Sequence, residues 1–374
     1  MKITGIIAHL VDSKTKYPFD WQVDRPGSDD GRGLDMRQTC VLRIQTDEGI
    51  EGHGVVGSRG APTLDVVKRR FGHFLLGADP LNTEFLWERM WDMDRLEEFP
   101  IYAQGIADLA LWDLKGKVAK MPVYQLLGGY RDSIPAYAST TGYDTEEEYL
   151  RVIDAALEQG YRSIKLHFRY RDVKTNAKLC KRVRDHVGDE IELTVDASAL
   201  WDYTDALWFG RRLEELDYLW YEEPMREFDL ESYAKLCRDL DIPVLAAETP
   251  DGAHWNAGEF IRRGALDIMR TSTHYKAGFT GGLKVAHLAE SYGMYAEVHG
   301  GGPANLHLGL ALPNNRYYED IVVSPEQIRD AGSRLPVILK DGMASMPEGT
   351  VGMGQDVDVK YLEANAVETV RLPG

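Results

Sequence analysis

The sequence predicts an α/β chain in which an α+β N-terminal third precedes a closed parallel barrel, and three observations carry that prediction. Residues 1 to about 50 alternate apolar and polar in the manner of antiparallel strands. The pattern over 62–128 is helical. From Ile134 onward, short apolar runs alternate with amphipathic helical stretches, as a parallel barrel requires.

Thr39-Cys40-Val41-Leu42-Arg43-Ile44 is the clearest early strand, followed by the turn Thr46-Asp47-Glu48-Gly49 and a second run to Gly54. The segment IYAQGIADLALWDLKGKVAK carries apolar residues at helical spacing before the Gly128-Gly129 stop. The barrel strands are IPAYAS from 134, SIKLHF from 163, IELTVDA from 191, YLWYEE from 218, PVLAAE from 243, ALDIMR from 265, MYAEVH from 294 and RYYED from 316. Helices such as TEEEYLRVIDAALEQG separate them. An open doubly wound sheet would need a glycine-rich phosphate loop after its first strand, and YASTTGYD is not one. The expected division is a capping region at 1–130, a barrel at 131–345 and a polar, glycine-rich segment at 346–374 that returns to the N-terminal part.

A chain of 374 residues exceeds what one core usually organises, which fits a barrel plus a smaller domain. The 43 basic and 60 acidic residues give −17, which opposes attraction to phosphate backbones and anionic membranes. No apolar run approaches the roughly 20 residues of a membrane span. Cys40, Cys180 and Cys237 are scattered, with neither a disulfide framework nor a thiolate metal site in their spacing. The N-terminus lacks a signal-like apolar stretch, so a reducing cytoplasm is expected.

In such a barrel, functional side chains come from the C-terminal ends of different strands. Strand two ends in Lys165-Leu166-His167, whose alternation puts Lys165 and His167 on one face. Strands three, four and five end at Asp196, Glu222-Glu223 and Glu248, with Asp196, Glu222 and Glu248 spaced 26 residues apart. Three converging carboxylates repel one another unless a hard cation compensates them. All-oxygen ligation without Cys or an HExxH pair points to Mg2+, with Mn2+ possible.

These segments, with ALWDLKGKVAKMPVYQLLGG at 110–129, GYRSIKLHF at 160–168, VDAS at 195–198, YEEP at 221–224, AAETP at 246–250, FTGGLKVAHLAESYGM at 279–294 and VHGGG at 298–302, resemble the enolase superfamily and its mandelate racemase-like subgroup. The resemblance spans nearly the whole chain. It implies a modified (β/α)7β TIM-type barrel under an α+β capping domain formed by the N-terminal third and the C-terminal tail. It also places metal ligands at Asp196, Glu222 and Glu248. The superfamily's general strategy, a Lys or His base with one or two magnesium ions stabilising an ene-diolate, is carried over with it.

By the same resemblance Lys165 is a base on one face of the α-carbon, which requires a neutral amine. His167 stands where many relatives have a second lysine. His299, followed by Gly300-Gly301-Gly302, matches the base on the opposite face. Relatives orient that histidine with an Asp at the end of strand six, where this chain offers Thr271, a hydrogen bonder that cannot stabilise imidazolium as a carboxylate does. Glu319 matches a carboxylic acid that hydrogen-bonds the substrate carboxylate. Lys276 lies near a substrate-contacting lysine, in a loop one residue longer. Two capping loops, at about 15–30 and 52–61, would set specificity through Tyr17, Phe19, Trp21, Arg25 and Arg59.

The expected activity is abstraction of the proton α to a carboxylate, followed by loss of the β-hydroxyl of an acid sugar, an aldonate or aldarate, to give a 2-keto-3-deoxy acid. A racemase, epimerase or cycloisomerase acting on a carboxylate is the alternative. A silent binding or structural barrel is the reading from another class, and idle converging charges argue against it. The expected partner is a small carboxylate, with no nucleic acid or membrane; the resemblance adds a homo-oligomer.

Overall fold

The computed structural model describes residues 1–12, 38–57, 59–322, 336–355 and 357–374. Strands β1 (Ile3–Asp12), β2 (Gln38–Thr46) and β3 (Glu51–Val56) form the antiparallel meander read from the sequence. Their inward residues Ile6, Ala8, Leu10, Cys40, Leu42 and Ile44 are all buried, as a half-covered sheet requires. The sheet packs on helix Ile101–Ala119, and β3 achieves this approach through glycine. A Cβ at Gly52 or Gly54 would lie 2.2 Å from the carbonyl oxygen of Ala110 or Ile106.

The barrel strands are β4 (Ser133–Ser139), β5 (Ser163–His167), β6 (Glu192–Asp196), β7 (Trp220–Glu222), β8 (Val244–Ala246), β9 (Ile268–Thr271), β10 (Ala296–Val298) and β11 (Tyr318–Ile321). All eight coincide with the predicted runs. Parallel ladders run unbroken from β11 through β4 to β10. Side chains and loop backbone join β10 to β11. Ala296 N donates to Asn314 O at 2.8 Å, Val298 N to Asn315 Oδ1 at 2.9 Å and Gly300 N to Glu319 Oε2 at 2.6 Å. The hairpin β12 (Ile338–Lys340) and β13 (Met343–Ser345) adds antiparallel to the start of β4. Strand β14 (Ala366–Leu372) pairs with β1, so the C-terminus completes the capping sheet.

Aspartates 172, 202 and 229 cap three of the intervening helices by accepting the N–H of Thr175, Asp205 and Ser232, and Thr145 with Glu148 forms a capping box on a fourth. The capping domain is also tied to the barrel mouth. Trp87 Nε1 donates to Ala277 O at 2.8 Å, and Asp108 accepts from Thr280 N and Oγ1 at 3.0 and 2.6 Å. The first contact holds the segment after β9 and the second the opening turn of helix Gly278–Ser291 that follows it. No helix among the described residues is long and apolar enough to cross a membrane.

Gly54→Ala should lower stability by about 2 kcal/mol or more, because its methyl must displace helix backbone. Gly57→Ala, with open space around it, should be near neutral. Urea unfolding midpoints check the pair, and equal midpoints would contradict the close-approach account.

Candidate active site

Strand alternation sorts the barrel interior into layers. Tyr137, Trp220, Leu245 and Ile268 form an apolar plug. One inward step further along β7 and β9 stand Glu222 and Arg270, and β5 contributes Lys165 and β11 contributes Glu319 to the same cluster, all four buried. His167, Asp196 and Glu222 are ladder partners across β5, β6 and β7, so spacing in sequence becomes adjacency in space. Glu248 lies past the end of β8, where the left-handed Ala247 (φ 73°) resets the alternation and brings its carboxylate inward.

Lys165 Nζ lies 2.7 Å from Glu319 Oε1, 3.1 Å from Glu222 Oε2 and 3.5 Å from Asp196 Oδ2. One cationic nitrogen thus gathers carboxylates from three strands. Burial alone would lower the lysine's pKa, but Glu222 and Glu319 outweigh it and hold the ammonium well above its ordinary range. The neutral amine expected from the sequence is therefore not the state this charge arrangement favours.

Arg270 went unread in the sequence. It is fully buried, with Nε 2.7 Å from Glu222 Oε1 and Nη2 2.9 Å from Tyr137 Oη and 3.2 Å from Glu319 Oε2. A period-2 reading of β9 from Ile268 would have pointed it inward. The same parity corrects two expectations. Thr271 faces outward, where its hydroxyl donates to Gly282 O at 3.0 Å, so it does not orient the His299 ring. Glu319, held between Lys165 and Arg270, has its pKa driven well down against the effect of burial, so it is a carboxylate rather than the expected carboxylic acid.

His299 finds its charged partners elsewhere. Nδ1 lies 2.9 Å from Glu248 Oε2 and 3.5 Å from Glu319 Oε2. Burial lowers its pKa, but these two carboxylates more than offset that and the net shift is upward. His167 presents Nδ1 to Thr140 O at 2.6 Å and Nε2 to Asp196 Oδ2 at 3.0 Å. Both ring nitrogens thus face oxygen acceptors, which fixes the ring between β4 and β6. Lys276 Nζ donates to Pro250 O at 3.1 Å, and burial pulls its pKa down to about 8 despite Glu223 and Glu248. Arg59 Nη1 meets His274 Nε2 at 3.1 Å and Tyr275 Oη at 3.2 Å. Tyr17, Phe19, Trp21 and Arg25 lie outside the described residues.

Asp196, Glu222, Glu248 and Glu319 face the guanidinium of Arg270 and the ammonium of Lys165, so two negative charges remain for the imidazoles or a divalent ion to offset. Glu222 Oε1 and Glu248 Oε2 are buried with only the ion-pair contacts of Arg270 and His299 and no aligned hydrogen bond, so each keeps a lone pair that a cation could use. Ligand atoms of Glu222, Glu248 and His299 lie within 4.8 Å of one another, a set that omits Asp196. For a hard ion we favour Asp196 over the imidazole, since oxygen is the preferred donor and Asp196 and Glu222 already converge on Lys165 Nζ. The residues fit a divalent cation.

An α/β barrel with carboxylates at successive strand ends under an α+β cap defines the class. Residues 148–361 match the enolase C-terminal domain-like model, and residues 32–128 match the mandelate racemase / muconate lactonizing enzyme N-terminal domain. The chain belongs to this family. It is 30% identical to the arabinonate dehydratase of Saccharolobus solfataricus over 83% of this chain and 86% of that one. It is 28% identical to the D-galactarolactone cycloisomerase of Agrobacterium fabrum over 96% and 97%. The crystal structure of a D-glucarate dehydratase from Agrobacterium tumefaciens complexed with magnesium superposes with a TM-score of 0.87 at 34% identity, covering 98% of this chain and all of that one.

Arg270→Met leaves two buried carboxylates short of a cation and should destabilise the protein by about 3–5 kcal/mol. Arg270→Lys, which keeps charge but loses the fork, should cost less. Urea denaturation decides, and a Met variant as stable as wild type would refute the role given to Arg270.

Proposed function

We propose that this protein is a magnesium-dependent acid-sugar dehydratase, converting an aldonate or aldarate to a 2-keto-3-deoxy acid. The observation that carries the reading is Lys165, a buried amine held among carboxylates from β6, β7 and β11 at the barrel mouth. The dehydratases among its relatives support it, and manganese would suit the same oxygen donors.

Asp196, Glu222 and Glu248 would hold the ion, and the chemistry it supplies when bound is neutralisation of the second negative charge that an enolate carries. Lys165, once neutral, takes the α-proton. His299 gives a proton to the departing β-hydroxyl, the carbon–oxygen bond breaks and water leaves. The resulting enol tautomerises to the 2-keto acid, so atoms balance without any oxidant. Arg270 and His167 keep Glu222 and Asp196 in place. The pairing of His299 with Glu248 favours a second reading, an epimerase, because a carboxylate beside the ring lets it act as a base from the opposite face.

Calorimetry should show magnesium binding that Asp196→Asn and Glu222→Gln weaken by more than the roughly 10- to 100-fold cost of losing an outer partner. Unchanged affinity in either would remove that ligand. Because the metal-free pKa of His299 is raised, its proton competes at low pH, and affinity should rise with pH through that value and then level off. Lys165→Ala should slow α-proton exchange in heavy water by about 10²- to 10⁴-fold. In the wild type, proton NMR and semicarbazide assay separate the readings: keto acid marks elimination, and exchange with inversion alone marks epimerisation.

A further inference from the structure

We propose that Asn305 is the positioning residue for His299, fixing the candidate acid to the loop after β9 so that proton delivery to the leaving group depends on it. This rests on the dehydration reading above, in which Lys165 and His299 act at different steps. Thr271 turns outward to Gly282, so the placement of His299 is left to other groups.

Asn305 is buried in the first turn of helix Pro303–Ala311, which follows β10. Its Oδ1 accepts from the backbone N–H and the hydroxyl of Thr273, at 3.0 and 2.8 Å. Its Nδ2 donates to the carbonyl oxygens of His299 and Gly301, at 2.8 and 3.3 Å. An asparagine amide has two donors and two acceptor sites, and here all four are used. The partners also fix which way the amide lies, because Thr273 N can only donate and the two carbonyls can only accept. An aspartate of the same shape would set an oxygen against both carbonyls, and a leucine would bond neither loop.

The four bonds join two loops that carry polar groups of the mouth. Thr273 opens the segment His274-Tyr275-Lys276, and His299 opens Gly300-Gly301-Gly302. His299 N donates to Thr271 O at 2.7 Å, so both peptide groups flanking the His299 Cα are tied, the first to β9 directly and the second through Asn305 to Thr273 just beyond it. With both peptides fixed, the ring can turn only about its own side-chain bonds. Its Nδ1 then meets Glu248 Oε2 at 2.9 Å, and its ring stands 5.5 Å from that of Tyr275. Gly300 is left-handed (φ 79°), and a Cβ there would come within 3.3 Å of Asn305 Nδ2, so a glycine lets the amide close on this loop. Lys165, on β5, is held instead by carboxylates of β6, β7 and β11. Loosening Asn305 therefore moves the acid and spares the base.

The test uses the full-length, magnesium-loaded protein with D-glucarate, galactarate and D-arabinonate. Two rates are read on each: α-proton exchange in heavy water, which reports Lys165, and keto acid formation, which needs His299 as well. Asn305→Asp keeps an acceptor for Thr273 and loses both donors. It should lower kcat for keto acid formation by about 10- to 100-fold, the scale for a reacting group displaced by about an ångström, with KM nearly unchanged. Exchange should fall far less, so the ratio of exchange to elimination rises. Asn305→Ser, smaller and uncharged, should move the ratio the same way, and it carries the test where the buried carboxylate of Asn305→Asp prevents folding. Thr273→Val, which removes one bond to Oδ1 while the His299 carbonyl stays held, should leave the ratio at the wild-type value. Thermal melts and magnesium calorimetry establish that each variant is folded with its centre intact. A proportional fall in both rates, or an unchanged kcat in both Asn305 variants, overturns the proposal and leaves Asn305 a structural tie between loops. A wild type that forms keto acid from none of the three removes the dehydration reading itself, and this inference falls with it.

Discussion

Buried negative charge is the constraint on which the rest of this structure depends. Asp196, Glu222, Glu248 and Glu319 are brought together from four strands into a space that water hardly reaches. Isolated carboxylates cannot remain ionised there, so each must have a partner or give up its charge. Arg270 and Lys165 provide two cationic partners, and His167 and His299 stand against the remainder. Arg270 matters most, because a guanidinium does not deprotonate and its fork reaches Glu222 and Glu319 together.

The scaffold makes that concentration of charge tolerable. Below it lies the apolar plug of Tyr137, Trp220, Leu245 and Ile268, which gives the ion pairs a dry and rigid floor. Tyr137 also turns its hydroxyl up to accept from Arg270, so the plug and the charged layer are joined. The last gap in the ring is bridged partly by Glu319 itself, through Gly300 N, so one carboxylate serves both the barrel wall and the site. Above, Trp87 and Asp108 of the capping domain grip the segment after β9 that carries His274, Tyr275 and Lys276. Cap and barrel therefore share in shaping the mouth.

Much of this was legible in the sequence. Period-2 runs separated by helical stretches located all eight barrel strands, and equal spacing singled out Asp196, Glu222 and Glu248, because a strand-plus-helix unit has a nearly fixed length. What was not legible follows from treating strand ends as points rather than as alternating faces. Thr271 was assigned inward when parity turns it towards helix Gly278–Ser291, and Arg270, one residue earlier, was passed over. With Arg270 missing, the charge balance was wrong too. Glu319 then looked free to be a neutral acid, while the neutral Lys165 and the unpartnered His299 followed from not foreseeing how closely Glu222, Glu319 and Glu248 would stand beside them. Of the three, only the state of Glu319 traces to the unread guanidinium, since Arg270 pulls the pKa of Lys165 and of His299 down rather than up.

The protonation of Lys165 links this balance to the proposed function. A base for the α-proton must be an amine, yet the surrounding carboxylates stabilise the ammonium. The surplus of negative charge that would draw a divalent cation to Asp196, Glu222 and Glu248 is also what keeps the lysine protonated. Offsetting that surplus therefore weakens the field on Lys165 and brings the neutral amine within reach. A cluster with more fixed cations would free the amine but hold no metal. One with fewer would hold metal but leave Lys165 a cation. Arg270 contributes one invariant positive charge to that cluster, and so sets how much charge is left for the ion to supply.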